Sequence, residues 1–280
     1  WEFLKGILTA HFAYDALLAM HSTGALMALF PEFKSIDCLV IRDFYHRYTV
    51  DEHSFLTIKH LHKLAQYPNN RTRRRKDKKS LTPPWEEKFR EIFSELEHPE
   101  ILLFVLLFHD IGKGIDPDHH VAAGMKMVEK IMTRLSMKKE DKILARFLIE
   151  NHLEMSATLM RRDFAHDAAV RQFADRVVTA DRLKMLTLLT YVDIQSVNPD
   201  ALTPWKQELL WQLYMATYNE LTHKVDDNRY KTASVHPQIQ TVIDSLSGKA
   251  DPIALKGFLE GFPWYYLRIH SAECELPRRC

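Results

Sequence analysis

A histidine and an aspartate, His109 and Asp110, directly follow an uninterrupted apolar stretch, Ile101–Phe108. Removing an imidazole and a carboxylate from water costs free energy unless they are hydrogen-bonded, paired with opposite charge or bound to a metal ion. Residues 111–114, Ile-Gly-Lys-Gly, follow at once, so the pair lies where a hydrophobic helix ends in a turn. The pair is therefore a candidate for a divalent-metal centre.

Other residues of the ligand type occur in similar apolar surroundings elsewhere in the chain: His53, His120, His152 and Asp193. Taken singly, each is more simply explained as a hydrogen-bonded core residue, a cap or an ion-pair partner. If these residues are unrelated, each of them needs its own partner, whereas one metal centre would satisfy all of them. The set as a whole therefore favours a metal centre. Neighbouring helical residues diverge by about 100°, so His109 and Asp110 can approach one cluster from two sides, with the carboxylate bridging two ions.

The apolar spacing is helical almost throughout and only 8 glycines are present, which predicts an all-α fold. No clean linker divides the chain. We expect one domain over residues 1–280, comprising a helical lead-in (1–45), a metal-binding core (46–215) and a C-terminal helical subregion (216–280). The predicted helices are Glu2–Met20, Ile36–Tyr45, Glu52–Tyr67, Pro84–Leu96, Glu100–Asp110, His120–Ser136, Lys139–His152, Ala168–Thr179, Arg182–Val197, Pro204–Leu221, Pro237–Leu246 and Pro252–Gly261.

The composition gives no argument for a nucleic-acid or membrane partner, because the formal net charge is only +1. The longest apolar run has eight residues, against the roughly 20 that span a bilayer. The basic stretch 71–79 is predicted to be a solvent-exposed loop. Three cysteines, two of them near the C-terminus, are expected to be reduced thiols in a cytoplasmic protein. The chain begins inside a predicted helix without a methionine, so we expect a fragment of a longer chain.

The ordered set of histidines and aspartates resembles the HD phosphohydrolase superfamily, in the variant whose two extra histidines mark a two-metal centre. The likeness is closer to the HD domain of bifunctional uridylyltransferase/uridylyl-removing enzymes of nitrogen regulation. That family has two adjacent histidines where this chain has Asn151-His152, and Asp-His-Ser where this chain has His119-His120-Val121. Gly124 keeps the spacing to His120 that the family's pattern shows. The resemblance therefore assigns the ligand role to His120, with His119 as the alternative. The segments that carry the likeness are residues 29–33, 48–53, 107–114, 151–158, 161–163, 192–194, 198–199 and 266–271.

The resemblance implies an all-α HD helical bundle with additional flanking helices and two divalent ions, drawn from Mn, Fe, Co, Zn or Mg. Asp110 would bridge the two ions and act in catalysis with Lys113. It also implies a phosphodiesterase that releases UMP from the uridylyl-tyrosine of a PII-type signal protein. The family's nucleotidyltransferase and ACT domains are missing from this chain. The implied ligands are His53, His109, Asp110 and Asp193 for one ion, and Asp110, His120 and His152 for the other.

Lys113, Arg161 and Arg162 are candidate phosphate contacts. Lys113 is equally well explained as a surface lysine at a helix C-terminus, and the arginines as ion-pair partners of Asp163 or Glu154. Glu52 either orients His53 or favours the start of its helix. Two other functions stay open: an HD hydrolase acting on a free nucleotide or another phosphate ester, and an inactive helical module that binds a regulatory partner.

Overall fold

The computed structural model describes residues 1–41, 47–66, 84–161 and 167–232. Within these ranges every regular element is helical and no strand occurs, which confirms the all-α prediction. Two short 3₁₀ helices, Pro31–Ser35 and Ile111–Gly114, accompany the α-helices. The α-helices are α1 (Glu2–Thr9), α2 (Ala13–Ser22), α3 (Ala25–Leu29), α4 (Val50–Gln66), α5 (Pro84–Ser94), α6 (Pro99–Phe108), α7 (His120–Arg134), α8 (Lys139–Asn151), α9 (Glu154–Arg161), α10 (Asp167–Val177), α11 (Ala180–Val197) and α12 (Pro204–Thr232).

Helix α6 lies at the centre of the fold. Pro99 occupies its first turn, where the missing N–H removes no helical hydrogen bond. Every residue from Glu100 to Phe108 is buried, and the helix packs against α1, α4, α8 and α11. A helix that is apolar on all sides must be surrounded. Its C-terminal end therefore delivers His109 and Asp110 directly into the protein interior.

Two glycines fix the turn that follows Asp110. A Cβ atom on Gly112 would lie 2.0 Å from the carbonyl oxygen of His120, and one on Gly114 would lie 2.1 Å from that of Ser35. Neither space admits a side chain. Gly112 lets the start of α7 contact the 3₁₀ turn, and Gly124 faces the same contact. The Gly-Lys-Gly sequence thus positions His120 beside Asp110.

The structure corrects several predicted helix boundaries. The predicted helix Glu2–Met20 is two helices, because Ala10 is extended between α1 and α2. The predicted helix Ile36–Tyr45 is wrong over residues 36–41, which form turns and extended chain with Cys38 in the left-handed region; residues 42–46 lie outside the described residues. Helix α6 ends at Phe108 rather than Asp110, and α12 continues beyond Leu221 to Thr232.

Helices α3 and α9 were not predicted, and both are short. The basic stretch 71–79, Cys274, Cys280 and the predicted helices Pro237–Leu246 and Pro252–Gly261 lie outside the described residues. Cys38 has a free, exposed thiol.

The chain divides into two compact units, Trp1–Glu220 and Leu221–Cys280, and all six predicted ligand residues belong to the first. The expectation of one domain with a C-terminal subregion from residue 216 stays a prediction. Among the helices that the structure describes, none combines the length and apolarity needed to cross a bilayer.

Candidate metal centre

Five segments bring the six predicted ligand residues into one cluster. His53 lies in the first turn of α4 and Asp193 near the end of α11. His109 and His152 are the C-cap residues of α6 and α8, and His120 begins α7. The histidines and Asp110 are all buried. The C-terminal ends of α6 and α8 and the N-terminal ends of α4 and α7 meet here, so the four helix dipoles oppose one another.

Asp110 divides the cluster into two sides. Its Oδ2 atom lies 3.4 Å from Nε2 of His109 and 3.8 Å from Nε2 of His53. Its Oδ1 atom lies 3.5 Å from Nε2 of His120 and 3.8 Å from Nε2 of His152. Each carboxylate oxygen therefore faces a different pair of imidazoles, as a bridging ligand would.

Asp193 joins only one of these pairs. Its Oδ1 atom lies 2.9 Å from Nε2 of His53 and 3.6 Å from Nε2 of His109. Its side chain keeps 19% exposure, so it reaches the cluster from the solvent edge. We call His53, His109 and Asp193 the Asp193 side. We call His120 and His152, whose Nε2 atoms lie 3.4 Å apart, the His152 side.

Backbone carbonyls hold all four imidazoles by their Nδ1 atoms. The acceptors are the carbonyl oxygens of Ser196 for His53 (3.2 Å), Leu106 for His109 (3.0 Å), Pro117 for His120 (3.2 Å) and Ile149 for His152 (2.8 Å). A carbonyl can only accept, so each Nδ1 carries the hydrogen. Each Nε2 is left facing the cluster, which is the arrangement typical of metal-binding histidines.

His109 gives the clearest sign that a cation belongs in the cluster. Its ring is fully buried, and its Nε2 atom has no hydrogen-bond partner. Buried nitrogen and oxygen atoms in folded proteins are almost always satisfied, by protein, water or an ion. The Nε2 atom points between the carboxylates of Asp110 and Asp193, where a metal ion would receive it.

The two sides shift the pKa values of their buried histidines in opposite directions. Burial opposes charge on His109, but the carboxylates of Asp110 and Asp193 outweigh burial and raise the pKa of His109 to about 10. Burial lowers the pKa of His152 to about 4, and burial also lowers the pKa of His120. Burial alone would raise the pKa of Asp110, yet nearby His109 and Lys113 hold it well below its usual range. The cluster thus contains ionised carboxylates beside His120 and His152, which keep inward lone pairs, whereas His109 holds a proton that a bound cation would replace.

These donors suit a first-row divalent cation. The sets His53–His109–Asp110 and Asp110–His120–His152 each place one ligand atom per residue within 4.8 Å of the others. Mixed imidazole and carboxylate ligands suit Mn, Fe, Co and Zn, whereas Mg prefers oxygen ligands and water.

A family model for the HD domain matches residues 50–183, which include the histidines of the cluster and Asp110. Residues 50–183 are an HD domain. An HD domain indicates a metal-dependent phosphohydrolase. Asp193 lies ten residues beyond the matched range, and its place in the cluster rests on geometry rather than on the family match. We call the cluster of His53, His109, Asp110, His120, His152 and Asp193 the HD centre.

Three curated relatives of the chain share one name. The bifunctional uridylyltransferase/uridylyl-removing enzyme of Vibrio cholerae is 30% identical over 226 residues, covering 81% of this chain and 24% of the relative. Those of Aliivibrio fischeri MJ11 and Rhodopseudomonas palustris are 32% and 33% identical, covering 76% and 77% of this chain and 23% and 22% of the relatives. The chain thus spans about a quarter of the length of these relatives.

The structure separates the two histidines at the start of α7. His120 faces Asp110 inside the HD centre, whereas the side chain of His119 is 79% exposed and lies 3.3 Å from a carboxylate oxygen of Asp116. The backbone N–H of His119 also donates to Asp116. The HD centre therefore contains His120 and leaves His119 at the surface.

Lys113 lies against the HD centre, not in open solvent. Its Nζ atom is 2.6 Å from Oδ2 of Asp110, and its side chain is 16% exposed. The side chain of Arg161 and all of Arg162, the other predicted basic groups, lie outside the described residues. Glu154, one of the alternative partners for these arginines, is paired with Arg176 at 2.6 Å.

The partners of the imidazole Nδ1 atoms were missed by the sequence analysis. Glu52, the suggested partner of His53, is exposed, and the carbonyl of Ser196 takes that role. A local signal existed for the other three histidines, since each donates to the carbonyl three residues earlier. His109 and His152 lie at helix C-termini, where histidines commonly bond such carbonyls, whereas His120 begins α7 and bonds a carbonyl of the preceding turn. The Ser196 contact joins residues 143 positions apart and had no local signal.

Proposed function

We propose that the HD centre binds two divalent cations, one on the Asp193 side and one on the His152 side, with Asp110 as the bridge. The observation that carries the proposal is the division of Asp110, whose two oxygens face two different pairs of inward Nε2 atoms. The partnerless, buried Nε2 of His109 supports it independently. We propose Mn, Fe, Co or Zn ahead of Mg, because four imidazoles take part.

Bound cations at such a site polarise phosphoryl oxygens and lower the pKa of coordinated water towards 7. The residues supply position and charge. The backbone carbonyls fix the four rings, so that the donors need little rearrangement when substrate binds. Lys113, 2.6 Å from Asp110, is near enough to turn its ammonium towards a phosphoryl oxygen and offset the negative charge there. Arg161 and Arg162 remain proposed contacts to the substrate phosphate.

The reaction that we propose is hydrolysis of the phosphodiester between a uridylyl group and a tyrosine of a PII-type signal protein, which releases UMP. The relatives named above and the matching segments of the sequence support this choice. The leaving group would be a tyrosine phenolate, whose solution pKa of about 10 makes it a better leaving group than an alkoxide. A strong dedicated general acid is therefore unnecessary in this reaction.

We place the organic part of the substrate on the His152 side. An open cavity of about 610 Å³ adjoins His120 there, and its lining includes Met125, Lys126 and Leu153. The cavity is therefore next to the proposed cation of that side. The nucleotidyltransferase and ACT domains implied by the sequence resemblance belong to the same proposal, as does a cytoplasmic location.

A substrate panel tests the proposed reaction. The chain, loaded with Mn²⁺, is incubated with uridylylated PII-type protein, with free nucleotides and with a chromogenic phosphodiester, and UMP release is measured by chromatography. We expect UMP from the protein substrate, and none from the Asp110→Asn variant. Hydrolysis of free nucleotides without release from the protein would favour the free-nucleotide function. Failure on every substrate by chain that has bound metal would favour the inactive regulatory module.

A further inference from the structure

A second group of ligand-type residues lies outside the HD centre. His21 is in the last turn of α2, Asp37 lies in the turn after the first 3₁₀ helix, and Asp51 is in the first turn of α4. Nε2 of His21 lies 2.7 Å from Oδ1 of Asp37 and 3.3 Å from Oδ2 of Asp51. One ligand atom from each of the three lies within 4.8 Å of the others. We call these three residues the N-terminal cluster.

Asp51 has an unsatisfied oxygen in this cluster. The residue is only 4% exposed, and its Oδ1 atom has no hydrogen-bond partner. A buried carboxylate oxygen without a partner is costly, and a bound cation would remove that cost.

A hydrogen bond from His21 alone does not account for the cluster. Among the described residues, two carboxylates face a single imidazole, and one imidazole cannot balance both of them. Such a hydrogen-bonded arrangement also leaves Oδ1 of Asp51 unsatisfied. A divalent cation would balance both carboxylates, and binding by both oxygens of Asp51 would also give Oδ1 its missing partner.

The spacing of the donors fits a metal coordination sphere. Zinc–nitrogen and zinc–oxygen bonds of about 2.0–2.2 Å in tetrahedral geometry place neighbouring ligand atoms about 3.3 Å apart. The distance from His21 to Asp51, 3.3 Å, matches that value, whereas the 2.7 Å from His21 to Asp37 is a hydrogen-bond length that would increase when a cation enters. The backbone also prepares the site, because the N–H of Val50 donates to the carbonyl of Leu39 and holds the Asp37 turn against α4.

We propose that His21, Asp37 and Asp51 form a second metal site, which takes a first-row divalent cation such as Zn²⁺ with water in the remaining position. Its ligands join α2, the turn at Asp37 and the first turn of α4. Asp51 precedes His53 by two residues. A cation here therefore fastens the N-terminal helices to the helix that carries one ligand of the HD centre.

Zinc stoichiometry tests the site directly. Metal-free wild-type chain and variants are dialysed against Zn²⁺, and bound zinc per chain is measured by mass spectrometry. We expect Asp37→Asn and His21→Gln each to bind one ion fewer than wild type. Asp15→Asn is the matched control, since it removes an exposed carboxylate from the same helix, α2, and should bind as many ions as wild type.

This difference of one ion does not depend on how many ions the HD centre holds, so failure here and failure of the proposed function are distinguishable. Thermal melting in the Asp110→Asn background gives a second measurement. Saturating Zn²⁺ should raise its melting temperature by about 5–10 °C, and the rise should disappear in Asp110→Asn/Asp37→Asn. Equal zinc content in wild type, Asp37→Asn and His21→Gln would overturn the proposal, as would an equal rise in melting temperature with and without Asp37.

Discussion

The Asp193 side and the His152 side of the HD centre are built from the same parts but differ in charge. Each has two imidazoles held by carbonyls through Nδ1, and both use Asp110. Among the residues that the structure describes, only the Asp193 side has a second carboxylate, that of Asp193. The pKa of His109 is accordingly raised to about 10, against the effect of burial, whereas burial lowers the pKa of His152 to about 4.

The number of nearby carboxylates, rather than burial, decides which side favours positive charge. His109 and His152 are equally deep, with exposures of 0% and 1%, and both cap the C-terminus of a helix. We therefore expect the Asp193 side to bind a cation more tightly. The His152 side, which offers imidazoles and one shared oxygen, should bind its cation more weakly and in a more open position.

Asp110→Asn should have the largest effect, because Asp110 is the only residue shared by both sides. An amide lacks the negative charge that each cation needs, and loss of metal-based stabilisation removes several kcal/mol. We expect a fall in phosphodiesterase rate of about 1,000-fold or more, with the helical circular dichroism spectrum unchanged. Activity within tenfold of wild type would contradict the bridging role of Asp110.

Gly112→Ala should disturb the His152 side more than the Asp193 side. The added methyl group would meet the backbone of His120 and Gly124, so α7 must move away from the turn. We expect a loss of about 3 kcal/mol in unfolding free energy, measured by denaturant titration, together with loss of the weaker metal ion.

Gly6→Ala is the matched control for this substitution. Gly6 lies in α1 with open space around its Cβ position, so alanine should raise stability by about 0.5–1 kcal/mol. Equal effects of Gly112→Ala and Gly6→Ala would show that the close contact at Gly112 does not position α7.

His120→Ala and His119→Ala separate the His152 side from its surface neighbour. His120 faces Asp110, whereas His119 is 79% exposed. Loss of His120 should lower kcat by about 100-fold and reduce the bound metal by one ion, since even outer-shell changes at metal sites cost 10–100-fold. His119→Ala should stay within twofold of wild type. The reverse order of effects would move the ligand role to His119.

Among the substitutions expected to lower the rate, Lys113→Met should have the smallest effect. The aliphatic stem is kept and the charge near Asp110 is removed. If Lys113 contacts the substrate phosphate, one charge-assisted hydrogen bond is lost, and kcat/KM should fall by about tenfold. An unchanged kcat/KM would favour the alternative in which Lys113 only ends a helix.

Most of the HD centre was predictable from the sequence because its strongest signals are local. The apolar stretch that becomes α6 must be buried, and it is followed at once by His109 and Asp110. The two glycines after Asp110 marked a tight turn. The pairing of His53 with Asp193 spans 140 residues and depends on the packing of α4 against α11, and only the resemblance to a family supplied it in advance.

The lead-in region was the hardest to predict. Leu8 and Leu17 are buried on either side of Ala10, so the helical spacing of apolar residues continues across this position. The chain nevertheless turns at Ala10. The turn at Ile36 and Cys38 depends on a distant contact, because Ser35 packs against Gly114. Such contacts between remote segments leave no period in the sequence, and the N-terminal cluster was missed for the same reason.

A crystal structure of the Mn²⁺-loaded chain, with anomalous difference density recorded at the manganese absorption edge, tests the central claim most directly. Two peaks about 3.5–4 Å apart are expected in the HD centre. One should lie within bonding distance of His53, His109 and Asp193, the other of His120 and His152, and both of Asp110. A single peak, or two peaks that do not share Asp110, would contradict the two-sided centre.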